Sequence, residues 1–138
     1  MKIVVDVNII LSALIKDSIT RRIILDSGFE FYFPENSLHK IRKYQNYIIE
    51  KSCVSELEYN EILTKLLTYI KIVPTEELLS YWDKAKEIME KVDPEDVVFI
   101  AASLSIPNSV IWSNDSDFDK QNKVKVLKTK DILELFLH

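Results

Sequence analysis

Two short apolar segments near opposite ends of the chain each stop at a turn that carries carboxylates. Residues 3–9 read IVVDVNI, and residues 111–118 read IWSNDSDF. Apolar runs of this kind are typical of buried strands, and open α/β sheets bind ligands at the C-terminal ends of their strands. Two carboxylates that meet at such an edge require a cation or protons to stay together. The pattern therefore makes a metal site the first hypothesis.

The rest of the chain alternates between strand-like and helix-like patterns. Short apolar runs predict strands at residues 2–5, 29–33, 71–73, 110–112 and 124–127. Helical spacing of apolar residues predicts helices over residues 8–15, 20–27, 37–51, 75–92 and 129–137, with two more beginning at Ser55 and Asp93. Strands that alternate with helices favour a parallel sheet covered on both faces. We therefore expect an α/β fold with a central parallel β-sheet flanked by α-helices, as a single domain over residues 1–138.

The composition is that of a globular protein without a membrane segment. Apolar residues make up 47% of the chain and charged residues 29%. No apolar run approaches the roughly 18 residues of a membrane helix, and the N-terminus does not have the pattern of a signal peptide. The single cysteine, Cys53, excludes an internal disulfide. We expect a cytoplasmic protein.

The charge distribution excludes a uniformly basic nucleic-acid binder, because the net charge is −4. Positive residues nevertheless concentrate in two stretches, residues 39–43 and 120–130. Both stretches could simply be solvated surface. The alternative is a basic rim around an acidic pocket, which would attract a phosphate backbone.

Three aspartates are the candidate ligands: Asp6 after the first strand, Asp115 after the fourth, and Asp96 at the beginning of a helix. A set of carboxylate oxygens suits hard cations such as Mg²⁺ or Mn²⁺, which activate water for phosphodiester cleavage. Asp117 is a further catalytic candidate. No His/Cys set has zinc spacing, and one glycine in the chain leaves no phosphate-binding glycine loop.

Each aspartate also has a purely structural interpretation. Asp6 could cap the following helix, and Asp93, which precedes a proline, is a preferred cap. Asp96 would then interact favourably with the helix dipole, while Asp115 and Asp117 could close an Asx turn. Caps alone explain the three sites together less economically than a metal does. The nearby polar residues Asn8, Ser113 and Asn114 could hydrogen-bond to the carboxylates.

These motifs together resemble the PIN-domain family of metal-dependent ribonucleases. The chain has Asp6-Val7-Asn8 after its first strand, Asp96 within DPEDVVFIAASL, and Ser113-Asn114-Asp115-Ser116-Asp117-Phe118 after a later strand. The order and spacing agree with the family over almost the whole chain. The resemblance implies a PIN-like fold, a central parallel sheet with helices on both sides, and an acidic pocket that binds Mg²⁺ or Mn²⁺.

The resemblance also implies a function. Asp6, Asp96 and Asp115 would hold the ion, and Asp117 would bind a second ion or orient the attacking water. The substrate would be single-stranded RNA, with lysines of the 120–130 stretch guiding its backbone. Many members of the family are toxins of toxin–antitoxin pairs and many are dimers, so an antitoxin protein and a homodimer are expected partners.

The chain departs from the family at one position. The family usually places a glutamate in the helix after the second strand, where this chain reads PENSLHKIRKY and aligns His39 or Lys40. Glu35 lies four residues before His39, so it could partly replace the missing ligand if the helix begins early enough. His39 is a second substitute for a Mn²⁺ ligand. The remaining alternative is that three aspartates bind the metal weakly.

The missing glutamate leaves a non-catalytic function open, in which the domain is a scaffold for RNA or a protein partner. A haloacid-dehalogenase-like phosphatase also begins with a strand and an Asp turn. That family needs a second aspartate two positions on, where this chain has Asn8.

Overall fold

The computed structural model describes residues 1–15 and 18–138, which form a parallel five-stranded sheet in the order β3-β2-β1-β4-β5. The strands are β1 (Lys2–Val5), β2 (Glu30–Pro34), β3 (Ile70–Val73), β4 (Ser109–Trp112) and β5 (Val126–Leu127). The predicted α/β fold with an all-parallel sheet is confirmed.

Within the described residues, nine α-helices surround this sheet. They are α1 (Val7–Ala13), α2 (Ile19–Asp26), α3 (Leu38–Lys43), α4 (Gln45–Ser52), α5 (Glu56–Thr68), α6 (Thr75–Leu78), α7 (Trp82–Met89), α8 (Val97–Ser105) and α9 (Thr129–Leu137). None of these described helices is long and apolar enough to cross a membrane.

Strand β1 occupies the centre of the sheet because it is apolar on both faces. Residues 3–5 are completely buried, and β1 pairs in parallel with β2 on one side and β4 on the other. Helix α8 packs against β1, β2 and β4, and residues 97–103 are all buried. Strand and helix thus form the centre of the core, which explains why both read as continuous apolar segments.

The strand order reverses direction at β1. From β1 the chain proceeds through β2 to β3 on one side, and then crosses to β4 and β5 on the other. Open parallel sheets bind their ligands in the crevice at the C-terminal ends of the strands where such a reversal occurs. In this chain the crevice lies between the ends of β1 and β4, where the amide of Asp6 donates to the carbonyl of Trp112 at 3.1 Å.

Two helices predicted as continuous are interrupted. The predicted helix at residues 37–51 divides at Tyr44, whose backbone (φ −97°, ψ 5°) leaves helical geometry between α3 and α4. The predicted helix at 75–92 contains a 3₁₀ turn at Leu79–Tyr81, between α6 and α7. The apolar spacing predicted the buried face of each segment correctly but not these local changes of backbone.

Candidate metal centre

The acidic turns predicted from the sequence meet at the C-terminal edge of the sheet. Asp6 directly follows β1, Asp115 lies three residues beyond β4, and Asp96 immediately precedes α8. Together they face a pocket of about 240 Å³, which is lined by Asp6, Val7, Asn8, Lys40, Tyr44, Asp93, Glu95, Asp96, Phe99 and Asp115. Pockets for drug-sized ligands span about 300–1,000 Å³, so this one better fits an ion with a phosphate group.

Four carboxylates form the closest set in the described residues. Asp93, Asp96, Asp115 and Asp117 each offer one oxygen atom, and these atoms all lie within 4.8 Å of one another. Asp93 and Asp96 come together because a 3₁₀ turn at Pro94–Asp96 brings side chains three residues apart into line. Like charges at this separation repel strongly unless protons or a cation lie between them.

Asp96 is the most buried member of the set and has an oxygen without a hydrogen-bond partner among the described residues. It is only 7% exposed, and the oxygen without a partner is Oδ2. Burial raises the pKa of Asp96 to about 8, and repulsion from Asp93, Asp6 and Asp115 adds to this shift. A buried oxygen without a donor is destabilising. The neighbouring polar atoms are carboxylate oxygens, which cannot donate a hydrogen bond unless they are protonated. A proton shared with Asp93 or a hard divalent cation would therefore satisfy this atom.

Asp6 lies in the same pocket but outside the closest set of four. It is 5% exposed, and its Oδ2 accepts a hydrogen bond from Ser113 Oγ at 2.7 Å. Burial raises the pKa of Asp6, and the Ser113 hydrogen bond opposes the shift. Asp6 is the N-cap residue of α1, as the sequence allowed, but its side chain makes no cap hydrogen bond among the described residues. Its main-chain carbonyl instead accepts from Ile9 and Ile10.

Ser113 joins the two acidic turns. Its hydroxyl donates to Asp6, and the same oxygen accepts the Asp115 amide at 3.0 Å. Asp115 Oδ1 in turn accepts the Asp117 amide at 2.9 Å, which is the Asx-type turn expected from the sequence. The hydrogen bond that the sequence suggested between Ser113 and a carboxylate is therefore present.

The two asparagines do not support the carboxylates as expected. Asn8 lines the pocket but is exposed and makes no hydrogen bond to a carboxylate in the described part of the chain. Asn114 turns away from the pocket, since its amide donates to Thr129 Oγ1 and its carbonyl oxygen accepts the Thr129 amide, both at 2.9 Å. Asn114 therefore contacts the beginning of α9, and the structure does not place it against the carboxylates.

Both proposed substitutes for the missing glutamate lie outside the pocket. Glu35 belongs to a 3₁₀ turn before α3, and its Oε1 accepts the amide and hydroxyl of Thr75 at 3.1 and 3.3 Å. His39 is exposed and does not line the pocket. Because α3 begins only at Leu38, Glu35 is out of phase with the pocket-facing side of that helix. The structure therefore does not bring Glu35 or His39 into the pocket as substitute ligands.

Lys40 is the residue of α3 that does line the pocket. Its side chain is 22% exposed, and its Nζ lies 3.9 Å from Glu95 Oε2. Its positive charge acts to lower the pKa of Asp6. The sequence placed Lys40 beside the glutamate position but gave no reason to prefer it over its neighbour His39, since helix phase decides between them.

Asp93 was interpreted only as a cap, and the structure gives it two roles. Its Oδ1 accepts the Glu95 amide at 3.0 Å, which confirms the cap, while the residue also belongs to the set of four. A carboxylate has two oxygens with several lone pairs, so both roles are compatible. The spacing of Asp93 and Asp96 in DPED was the available signal.

A comparison with protein families identifies this arrangement. The PIN-domain family model matches residues 4–135, and the chain belongs to that family. PIN domains are generally metal-dependent nucleases, in agreement with the acidic cluster. No curated protein gives a significant match.

Proposed function

We propose that this protein is an endoribonuclease that depends on Mg²⁺ or Mn²⁺ and cleaves phosphodiester bonds of single-stranded RNA. The observation that carries the proposal is the buried Asp96 Oδ2, which lacks a donor in the described residues and sits among three further carboxylates. This atom points to a cation more directly than an exposed acidic cluster would. Its position at the reversal of strand order is where parallel sheets bind ligands.

In this proposal Asp96 and Asp115 hold the ion, and Asp6 and Asp93 complete the acidic wall of the pocket. A bound Mg²⁺ or Mn²⁺ supplies an activated water and stabilises the charge that develops on the phosphate. Ser113 fixes the orientation of Asp6 through its 2.7 Å hydrogen bond. Asp117 belongs to the set of four and is 31% exposed at its side chain, so it can orient or deprotonate a water beside the ion.

A basic groove beside the carboxylates supports a polyanionic substrate. A cavity of about 500 Å³ lies between α7 and residues 120–123, and Lys84, Lys120 and Lys123 contribute to its lining. Lys120 Nζ lies 3.4 Å from Asp117 Oδ1, which connects this groove to the cluster. Since lysines are common phosphate contacts, the groove offers a path for the RNA backbone toward the carboxylates.

The partners form part of the proposal, and the family resemblance is what supports them. We propose that the nuclease is the toxin of a toxin–antitoxin pair, that an antitoxin protein restrains it in the cytoplasm, and that it acts as a homodimer. Light scattering coupled to size-exclusion chromatography measures the dimer directly. A monomer at micromolar concentration would contradict that part of the proposal.

One observation favours a second function. Lys40 lies in the pocket near the position where the family resemblance leads us to expect a glutamate ligand, and a positive charge there opposes metal binding. A domain that binds its metal too weakly for catalysis would be a scaffold that binds RNA or a protein.

A cleavage assay separates the two functions. Fluorogenic single-stranded RNA is incubated with the wild type, Asp96→Asn and the exposed control Asp83→Asn, with Mn²⁺ or with EDTA. A nuclease gives cleavage that Mn²⁺ supports, EDTA abolishes, Asp96→Asn reduces at least about 100-fold and Asp83→Asn leaves unchanged. RNA binding without cleavage at millimolar Mn²⁺ would favour the scaffold, and cleavage that survives EDTA would contradict the metal mechanism.

A further inference from the structure

Lys40 brings a positive charge into a pocket otherwise lined by acids. It lies on α3, and Tyr44, one turn later, lines the same pocket, so one face of this segment forms a wall of the site. Lys40 is the only lysine, arginine or histidine among the described residues that line this pocket. Its side chain is 22% exposed, which distinguishes it from the solvated lysines of the surface.

The ion pair of Lys40 does not explain its position. The distance from Lys40 Nζ to Glu95 Oε2 is 3.9 Å, and the Glu95 side chain is 81% exposed. Ion pairs of this kind contribute at most about 1 kcal/mol, because water screens the charges and both side chains lose freedom. Lys40 also acts on a buried carboxylate of the same pocket, because its charge tends to lower the pKa of Asp6.

We propose that Lys40 is a permanent counter-ion of the carboxylate cluster, which competes with divalent metal ions and so sets a low metal affinity. This inference rests on the proposed metal site. In the metal-free protein the ammonium group offsets part of the negative charge of the pocket, through its ion pair with Glu95 and its effect on Asp6. When a divalent ion binds, the same ammonium group repels it.

Lys40 therefore stabilises the metal-free protein but weakens metal binding. This combination distinguishes a counter-ion from a residue that only packs. Removing the charge at position 40 destabilises the metal-free protein and strengthens metal binding. Reversing the charge with a glutamate extends both effects. A general packing defect would instead destabilise the protein both with and without the metal.

The test is calorimetric titration with Mn²⁺ at pH 8 of the wild type and three variants. Lys40→Arg keeps the charge, Lys40→Met removes it and Lys40→Glu reverses it. We expect Lys40→Arg to bind like the wild type, Lys40→Met to bind about tenfold more tightly, and Lys40→Glu more tightly still; tenfold corresponds to a change of about 1.4 kcal/mol in an electrostatic interaction. Lys65→Met and Lys65→Glu, at an exposed position on α5, are matched controls and should not change the affinity.

A second readout is the melting temperature in EDTA, where Lys40→Met and Lys40→Glu should melt below the wild type and Lys40→Arg should not. The inference is overturned if Lys40→Met and Lys40→Glu bind Mn²⁺ no more tightly than the wild type, while Asp96→Asn abolishes binding. That result would leave the metal site itself intact. Absence of Mn²⁺ binding in the wild type and in all position-40 variants would overturn both the inference and the proposed function.

Discussion

At the scale of single residues, Ser113 determines how the two acidic turns fit together. It is completely buried, its hydroxyl donates to Asp6, and the same oxygen accepts the Asp115 amide. One hydroxyl therefore connects the two turns, although Asp6 and Ser113 are 107 residues apart in the sequence. The sequence motif located Asp6 and Asp115 because each follows an apolar strand. It could not show that the hydroxyl of Ser113 reaches Asp6, which depends on the pairing of β1 with β4.

Replacing Ser113 with Ala should weaken both the metal site and the fold. The change leaves the buried Asp6 carboxylate without its donor and raises its pKa further, which favours its protonated form and so removes a negative charge from the wall of the metal pocket. We expect Mn²⁺ affinity to fall about 10- to 100-fold and the free energy of unfolding to fall by about 1–3 kcal/mol.

Calorimetric titration and urea denaturation measure these two effects. Ser116→Ala is the matched control, because Ser116 is exposed in the same turn. Unchanged Mn²⁺ affinity in Ser113→Ala would show that the hydrogen bond to Asp6 does not support the metal site.

At the scale of elements, the point at which α3 begins decides which side chains reach the pocket. β2 ends at Pro34, a 3₁₀ turn covers Glu35–Ser37, and α3 begins at Leu38. A helix that began at the end of β2 would have made Glu35 a plausible ligand. The inserted turn changes the phase, so Lys40 lines the pocket instead. Apolar periodicity predicts that a helix exists but leaves its first residue uncertain by several positions.

Glu35 should therefore contribute to stability and not to metal binding. Its carboxylate links the turn after β2 to the beginning of α6, through hydrogen bonds from the Thr75 amide and hydroxyl. We expect Glu35→Ala to lower the free energy of unfolding by about 1 kcal/mol, as for the loss of a helix cap. Urea denaturation measures this loss, and calorimetric titration should show an unchanged Mn²⁺ affinity.

Two further variants control for charge. Glu35→Gln keeps an oxygen acceptor and should recover part of the lost stability. Glu76→Ala removes an exposed charge from the first turn of α6 and should have little effect. A loss of Mn²⁺ affinity in Glu35→Ala would restore Glu35 as a candidate ligand.

At the scale of the whole molecule, strand order brings distant parts of the chain to one site. Because β1 lies between β2 and β4, the ends of the first and fourth strands meet, and α8 packs against both. The sequence predicted the parallel sheet because its strands are short apolar runs separated by helices. The order of the strands was not predicted, since composition and spacing do not encode which strands pair.

The site should also make the stability of the whole protein depend on pH. The pKa of Asp96 is raised to about 8 by burial and by neighbouring carboxylates, so the folded state holds a proton that the unfolded state releases near pH 4. This contribution to stability is complete below about pH 4 and is lost as the pH rises through about 8. The melting temperature of the metal-free protein should therefore fall between pH 5 and pH 8.5.

Thermal denaturation in EDTA across this pH range measures the effect. Asp96→Asn, which has no proton to lose, should flatten the slope, and Asp83→Asn at an exposed position of α7 should retain it. Added Mn²⁺ should restore stability at the alkaline end for the wild type and for Asp83→Asn, but not for Asp96→Asn. A wild-type melting temperature that rises steadily to pH 8.5 in EDTA would contradict the raised pKa of Asp96.

The most direct measurement is the anomalous scattering of manganese in crystals soaked with Mn²⁺. The carboxylate cluster predicts a peak in the anomalous difference map within bonding distance of Asp96 and Asp115, beside Asp6 and Asp93. It also predicts that the peak disappears in Asp96→Asn crystals soaked in the same way. A map of the wild type at saturating Mn²⁺ with no peak in this pocket, or with a peak only elsewhere, would contradict the assignment of these carboxylates as a metal centre.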